Sequence, residues 1–188
     1  HFHLQKFDFE LIIVDDGSKD RTVEIIHKAQ KKYQELALLQ NETNQGKGFS
    51  VRRGALASRG EWTLFLDADL STEPIEFDKF MPYLDDFDII IGSRGIPGAM
   101  IIKAQPLIRR LAGKALNFLA RLYLNLSYYD TQCGFKIFSK KTKILFEEQK
   151  LNSWLFDLEL LYLAKLRDFR VKEVPISWTV DPSSLVKR

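Results

Sequence analysis

Leu11-Ile12-Ile13-Val14-Asp15-Asp16-Gly17-Ser18 and Trp62-Thr63-Leu64-Phe65-Leu66-Asp67-Ala68-Asp69 share one pattern, an apolar run that empties into a pair of carboxylates. A short run of branched and aromatic residues closed by Asp and Gly reads as a buried strand entering a loop. In an open α/β sheet, the ligand crevice lies at the carboxyl ends of the strands. Four acids gathered there repel one another unless a cation or a donor-rich ligand sits among them.

Outward from these runs, the pattern alternates. A strand over 10–14 leads to a helix over 21–33, with Val23, Ile26, Ala29 and Tyr33 on one face and Asp20 as its N-cap. Leu36 to Leu39 reads as a strand and 41–48 as a loop. A helix over 49–58 ends at Arg59-Gly60, with the glycine just past its last turn. Strand 62–66, a Pro-started helix over 74–84 and strand 88–91 follow. This alternation predicts an α/β fold with a mostly parallel sheet and helices on both faces. The second half carries a broad leucine face with interspersed arginines over 105–126, a second amphipathic helix over 155–166 and a strand over 171–174. The 105–126 helix suits core packing and a membrane interface equally. The first nine residues look like the tail of an earlier element, so an N-terminal strand is expected to be missing.

The 188 residues, 45% of them apolar, suffice for one sizeable core and predict a single domain over 1–188. A net charge of +3 is no nucleic-acid footprint. One cysteine rules out an internal disulfide framework. No apolar run reaches the roughly 18 residues of a membrane span, and there is no signal peptide at the start.

Asp67 and Asp69, two residues apart at a strand end, point the same way and can share one hard cation, Mg²⁺ or Mn²⁺. An acidic turn capping the next helix is the plainer alternative. Asn44-Gln45-Gly46-Lys47-Gly48 departs from a P-loop, because Gly48 stands where Ser or Thr belongs, yet it leads a cation into a helix N-terminus that suits an anion. Gly92-Ser93-Arg94 puts an arginine at a strand end, either as ion-pair partner of the acids or as a phosphate clamp. In Asp130-Thr131-Gln132-Cys133-Gly134-Phe135-Lys136, a loop gathers Asp130, Gln132 and Lys136 as ligand contacts. No histidine stands ready to activate Cys133 as a nucleophile.

Taken in order, these motifs, with Phe156-Asp157-Leu158-Glu159 and Glu173-Val174-Pro175-Ile176-Ser177-Trp178, resemble the inverting, GT-A-fold (family 2) polyprenyl-phosphate glycosyltransferases. Within them, the dolichyl-phosphate β-glucosyltransferase type is most similar. The resemblance implies that Asp15 and Asp16 contact the donor nucleoside, with Lys47 and Arg53 nearby. It implies that Asp67 and Asp69 hold the metal on the donor diphosphate, and that Arg94 and Arg109 hold the lipid phosphate. Lys136 would face either phosphate group. The family's mannosyl members carry glutamine where this chain has Ser71, and a small hydroxyl residue often stands where it has Gly113. The family's opening Pro-x-Tyr-Asn-Glu-like segment has no match here.

The implied reaction is inverting transfer of a hexose, UDP-glucose being the favoured donor, to a polyprenyl or dolichyl phosphate at a membrane surface. No nucleic acid is involved. Asp69, Arg94, Asp130 and Gln132 form the expected catalytic set, with Asp130 and Gln132 orienting acceptor or sugar. The expected location is the cytoplasmic face of a membrane, the endoplasmic reticulum in a eukaryote or the plasma membrane in a prokaryote. A GDP-mannose-using transferase, a haloacid-dehalogenase-like phosphohydrolase with Asp67 as nucleophile, and a non-catalytic nucleotide-sugar-binding module are the alternatives.

Overall fold

A computed structural model describes residues 7–103 and 122–179. These fall into two compact units, one from the stretches 7–63 and 139–160 and the other from 64–103, 122–138 and 161–179.

In the first unit, β1 (Leu11–Asp15) and β2 (Leu36–Gln40) pair in parallel, from Leu11 opposite Leu36 to Asp15 opposite Gln40. The crossover is α1 (Thr22–Gln30), which buries Ile26. The helix is shorter than the expected 21–33 and its cap is Arg21 rather than Asp20, which stands one residue earlier and accepts the N–H of Thr22 at 2.9 Å. Helix α2 (Lys47–Ala57) starts two residues before the expected boundary, because its first turn is pinned by loop 149–152. There the N–H of Gly48 donates to the Asn152 carbonyl at 2.8 Å and Gln149 Nε2 donates to the Gly48 carbonyl at 2.8 Å. Gly46 adopts φ +96°, and a Cβ there would stand 2.5 Å from the Asn152 carbonyl oxygen, so glycine is required on both counts. The helix does not run to a glycine cap at Gly60: it ends at Ala57, where extended Ser58 turns its hydroxyl onto the Ala55 carbonyl. Helix α3 (Lys143–Glu148), unread in the sequence, packs on α2 through Arg52, whose Nε donates to the Phe146 carbonyl at 2.8 Å.

The second unit is built on a four-stranded sheet of order β3–β6–β4–β7, namely β3 (Trp62–Leu66), β6 (Phe135–Ser139), β4 (Ile89–Ser93) and β7 (Val171–Pro175). Strand β7 runs parallel to β4, but β6 runs antiparallel to it, so the sheet is mixed. Ile89, Ile90 and Ile91 are fully buried, each stabilising the core by about 1.5–3 kcal/mol. The two units divide within β3, at the last residue of β6 and within helix α4 (Phe156–Leu166).

The helix expected over 74–84 is replaced by two 3-10 turns, Pro74–Lys79 and Met81–Tyr83, because Pro74 and Pro82 each open a turn and neither continues as α-helix. Between them Phe80 is fully buried, edge-on to Phe135 at 5.2 Å. A further parallel pair joins β5 (Met100–Lys103) to β8 (Ser177–Thr179). Of the helix expected over 105–126, residues 104–121 lie outside the described residues, and with them Arg109. No helix among the described residues is long and apolar enough to cross a membrane.

Candidate active site

The strand ends of the first unit hold Asp15 and Asp16. Asp15 is buried and its carboxylate accepts the N–H of Ser18 at 3.2 Å, closing the turn after β1. Asp16 accepts from Asn41 Nδ2 at 2.8 Å, from the N–H of Gln45 at 2.8 Å and from the N–H of Gly46 at 3.0 Å. Burial pushes its pKa up, but these neutral donors outweigh burial and hold the carboxyl below its ordinary value. Asn41 caps β2, its N–H bonded to the Asp15 carbonyl at 2.8 Å. Arg53 reaches back from α2 to the Gln40 carbonyl and to Asn41 Oδ1. Gln40, Asn41, Thr43, Gln45, Phe49 and Arg53 line an open recess of about 330 Å³. Asn41 and Arg53, which line this recess together with the acid Glu42, continue through Asn41 to Asp16, while Lys47 opens the first turn of α2.

In the second unit, Arg94 follows β4 and meets Asp130 edge to edge. Its Nε donates to Oδ2 at 2.6 Å, its Nη2 to Oδ1 at 2.9 Å, and its backbone N–H to Oδ2 at 3.0 Å. Burial alone would favour the neutral forms of both side chains. Their mutual hydrogen bonds and charges prevail, raising the guanidinium pKa and lowering that of the carboxyl. Asp130 occupies the Nε–Nη2 edge, so among the described residues the remaining N–H groups of the fork, on Nη1 and the outer side of Nη2, face away from that carboxylate. The guanidinium also stacks over Trp178, 5.2 Å from the ring centroid.

Asp67 ends β3 with its N–H on the Gly134 carbonyl at 3.0 Å. A Cβ on Gly134 would collide with the Asp67 carboxylate, so glycine leaves that acid its present rotamer. Asp67 is close enough to Arg94 for its charge to support the guanidinium. Asp69 is exposed and accepts the N–H of Ser71 at 3.0 Å, a tight turn in which Leu70 takes φ +51°. Lys136 is buried on β6, its Nζ donating to the Cys133 carbonyl and its charge favouring ionised Asp130. Gln132 is half-buried in the same loop. The Cys133 thiol is fully enclosed, and burial, then the Asp130 charge, push it up to about 12, which leaves no thiolate for nucleophilic work.

No group of three or more His, Cys, Asp or Glu side chains assembles among the described residues. Two carboxylates two residues apart at a strand end, both oxygen donors, fit a hard cation that draws its other ligands from phosphate and water. The phosphohydrolase reading of Asp67 fails on topology, since that nucleophile belongs on a first core strand, whereas β3 is third in the chain and at the end of its sheet.

Two contributors escaped the sequence reading. Glu173 on β7 accepts the N–H groups of Tyr129 and Asp130, and Asn41 holds Asp16 to β2. Asn41 carried a signal, as a polar amide directly after an apolar strand; Glu173 stood in a quoted motif with no role.

The family model described as "Glycosyl transferase family 2" matches residues 3–144. A dolichyl-phosphate beta-glucosyltransferase of Trichomonas vaginalis is 37% identical, the match covering 97% of this chain and 56% of that protein. The Homo sapiens dolichyl-phosphate beta-glucosyltransferase is 34% identical over 96% of this chain and 59% of its own length. The chain thus spans less than two thirds of these curated relatives. Among solved structures, glucosyl-3-phosphoglycerate synthase from Mycobacterium tuberculosis superposes with a TM-score of 0.66 at 20% identity, covering 92% of this chain and 62% of the other. The same enzyme in complex with Mn²⁺, UDP and glucosyl-3-phosphoglycerate gives 0.64 at 19% identity, over 90% of this chain and 59% of that one. The fold is thus of the GT-A type, and with most of its length matching the family model, the chain belongs to glycosyl transferase family 2.

Proposed function

We propose that residues 1–188 act as one catalytic domain that transfers glucose from UDP-glucose to the phosphate of a dolichyl or other polyprenyl phosphate, with inversion to a β-linked product. The observation that carries this reading is the acid pair Asp67 and Asp69 at the end of β3, beside a guanidinium held by Asp130. It supports a site for two anionic groups, one travelling with a metal and one meeting an arginine. The likeness to dolichyl-phosphate beta-glucosyltransferases supports glucose and a lipid phosphate. The name of the UDP- and Mn²⁺-bound neighbour supports the nucleotide and a divalent ion.

Asp67 and Asp69 would hold Mg²⁺ or Mn²⁺, which when bound offsets charge developing on the departing diphosphate. In the recess beside β2, Asp16, Asn41 and Arg53 would seat the nucleoside, with Lys47 toward its phosphates. On the acceptor side, Arg94 would meet the lipid phosphate through Nη1, with Arg109 and Lys136 adding positive charge. Asp130 and Gln132 would orient acceptor and sugar. An acceptor phosphate oxygen attacks the anomeric carbon, whose bond to the diphosphate breaks. That oxygen is already anionic, with a second pKa near 6, so the site needs positioning rather than a strong base. The lipid acceptor sets the reaction at a membrane surface, read here as its cytoplasmic face.

The test is a donor screen in the whole protein, offering UDP-glucose and GDP-mannose to a short polyprenyl phosphate with and without Mg²⁺ or Mn²⁺, with UDP alone as the control that has no sugar to transfer. Metal-dependent formation of a β-linked lipid-phosphate glucose is expected. Exclusive use of GDP-mannose would move the reading to a mannosyltransferase, and no turnover with any donor would leave a nucleotide-sugar-binding module.

A further inference from the structure

We propose that Glu173 is a positioning residue for the Arg94–Asp130 pair, acting through the backbone of the loop that carries Asp130. The inference rests on the reading of Arg94 as the acceptor-phosphate group only for its kinetic consequence. Its structural content stands by itself.

Glu173 lies on β7, which runs parallel to β4 with Glu173 opposite Ile91 and Pro175 opposite Ser93. It thus stands beside the strand whose end launches Arg94. Its two carboxylate oxygens are both 3.0 Å from the Tyr129 N–H, and Oε1 also takes the Asp130 N–H at 2.8 Å. Two consecutive backbone donors held by one carboxylate fix the orientation of the peptide between them. That peptide sets the Cα of Asp130, and the Asp130 carboxylate must then meet three donors of Arg94 at once, its N–H, Nε and Nη2. Few orientations of the loop satisfy all three. Trp178, five residues beyond Glu173 on the next strand, closes the far face of the same guanidinium. Consecutive strands of two sheets, β7 through Glu173 and β8 through Trp178, thereby constrain how the Arg94 guanidinium is oriented.

A glutamate that merely anchored a loop would affect folding and nothing else. A positioning glutamate changes how the enzyme meets one substrate. In the full protein, Glu173→Ala is expected to raise KM for a short polyprenyl phosphate by about 10-fold or more, as loss of an outer partner does elsewhere, with KM for the nucleotide sugar within about twofold. Glu173→Gln keeps an acceptor for the two N–H groups and is expected to restore lipid KM to within about threefold of the parent. If Glu173→Ala does not fold, Glu173→Asp serves instead: the charge stays but retracts by one methylene, and lipid KM should rise severalfold. Equal changes in both KM values, or a fall in rate matching only the unfolded fraction, would overturn the proposal.

A second readout separates it from the acceptor reading. With ¹⁵N-arginine labelling, the Arg94 Nε–H in the parent is expected to be protected from exchange by Asp130, and Glu173→Ala should remove that protection. Protection retained in Glu173→Ala overturns the positioning role whatever the kinetics. Protection lost with lipid KM unchanged in both Glu173→Ala and Arg94→Lys upholds the positioning role, and places the failure in the acceptor assignment.

Discussion

Asp16 and Asp130 are two carboxylates in loops at strand ends, both held ionised, by opposite means. Asp16 is surrounded by neutral donors, two backbone N–H groups and the Asn41 amide, so its negative charge is dispersed but not cancelled. Asp130 lies against a guanidinium on two edges and its charge is matched. The first arrangement leaves a local anion that favours donor-rich neutral ligands such as a nucleobase or ribose. The second leaves a near-neutral pair that still presents a cationic end, suited to a phosphate. Stabilising an acid by hydrogen bonds or by an ion pair thus decides what the neighbouring space can accept.

The largest expected effect lies at the acids proposed for the metal. Asp69→Ala is expected to cut transfer by at least on the order of 100-fold, since losing even an outer metal partner costs 10–100-fold. Asp69 is exposed, so the thermal midpoint should stay within a few degrees of the parent. Parent-like turnover in that variant would sink the metal assignment.

Next in size comes stability. Asp130→Ala leaves the Arg94 guanidinium without its partner and should cost about 3–5 kcal/mol in urea unfolding. Asp16→Asn removes charge but keeps an acceptor, and should cost about 1–3 kcal/mol. If the order were reversed, the neutral-donor cage would be the stronger device.

Acid sharpens the same contrast. Both carboxyls titrate below their ordinary value in the folded protein. Their contribution is therefore complete above the unfolded pKa of about 3.9 and is lost as pH falls through the lower folded value. Urea midpoints measured down to about pH 3 should fall less steeply in Asp130→Asn than in the parent. An unchanged slope would remove Asp130 from the acid transition.

The smallest effect is at Cys133, which sits between the two halves of the ion pair's loop. Its thiol is buried and shifted to about 12, so iodoacetamide at about pH 8 should label it only after denaturation. Labelling of the native protein would show that the loop opens.

Legibility of the fold in the sequence followed the locality of the forces. Strand β3 was read residue for residue, because its apolar run is bounded on both sides by polar residues. Strand β6 was missed: Lys136 interrupts its apolar pattern, and the Cys133 carbonyl is among the groups that take up the buried ammonium. The split of 74–83 into two 3-10 turns follows from Pro74 and Pro82, but that Phe80 between them packs on Phe135 is a contact no local periodicity contains. The acid pairs were legible as strand ends. Whether Arg94 meets an acid or a ligand was not, because Asp130 lies 36 positions along the chain and reaches it only through the strand pairing. The partners of Asp16, brought across 29 and 30 positions, are invisible for the same reason.

The glycine at 134 has a genetic consequence. In every glycine codon, one base change at the second position yields alanine. The added methyl group lands where the Asp67 carboxylate now sits. Such a protein would keep its net charge, its titratable groups and nearly its whole mass. Its lesion would be an Asp67 carboxylate turned away from its present place near Arg94, so a screen that scores substitutions by chemical similarity would pass over it.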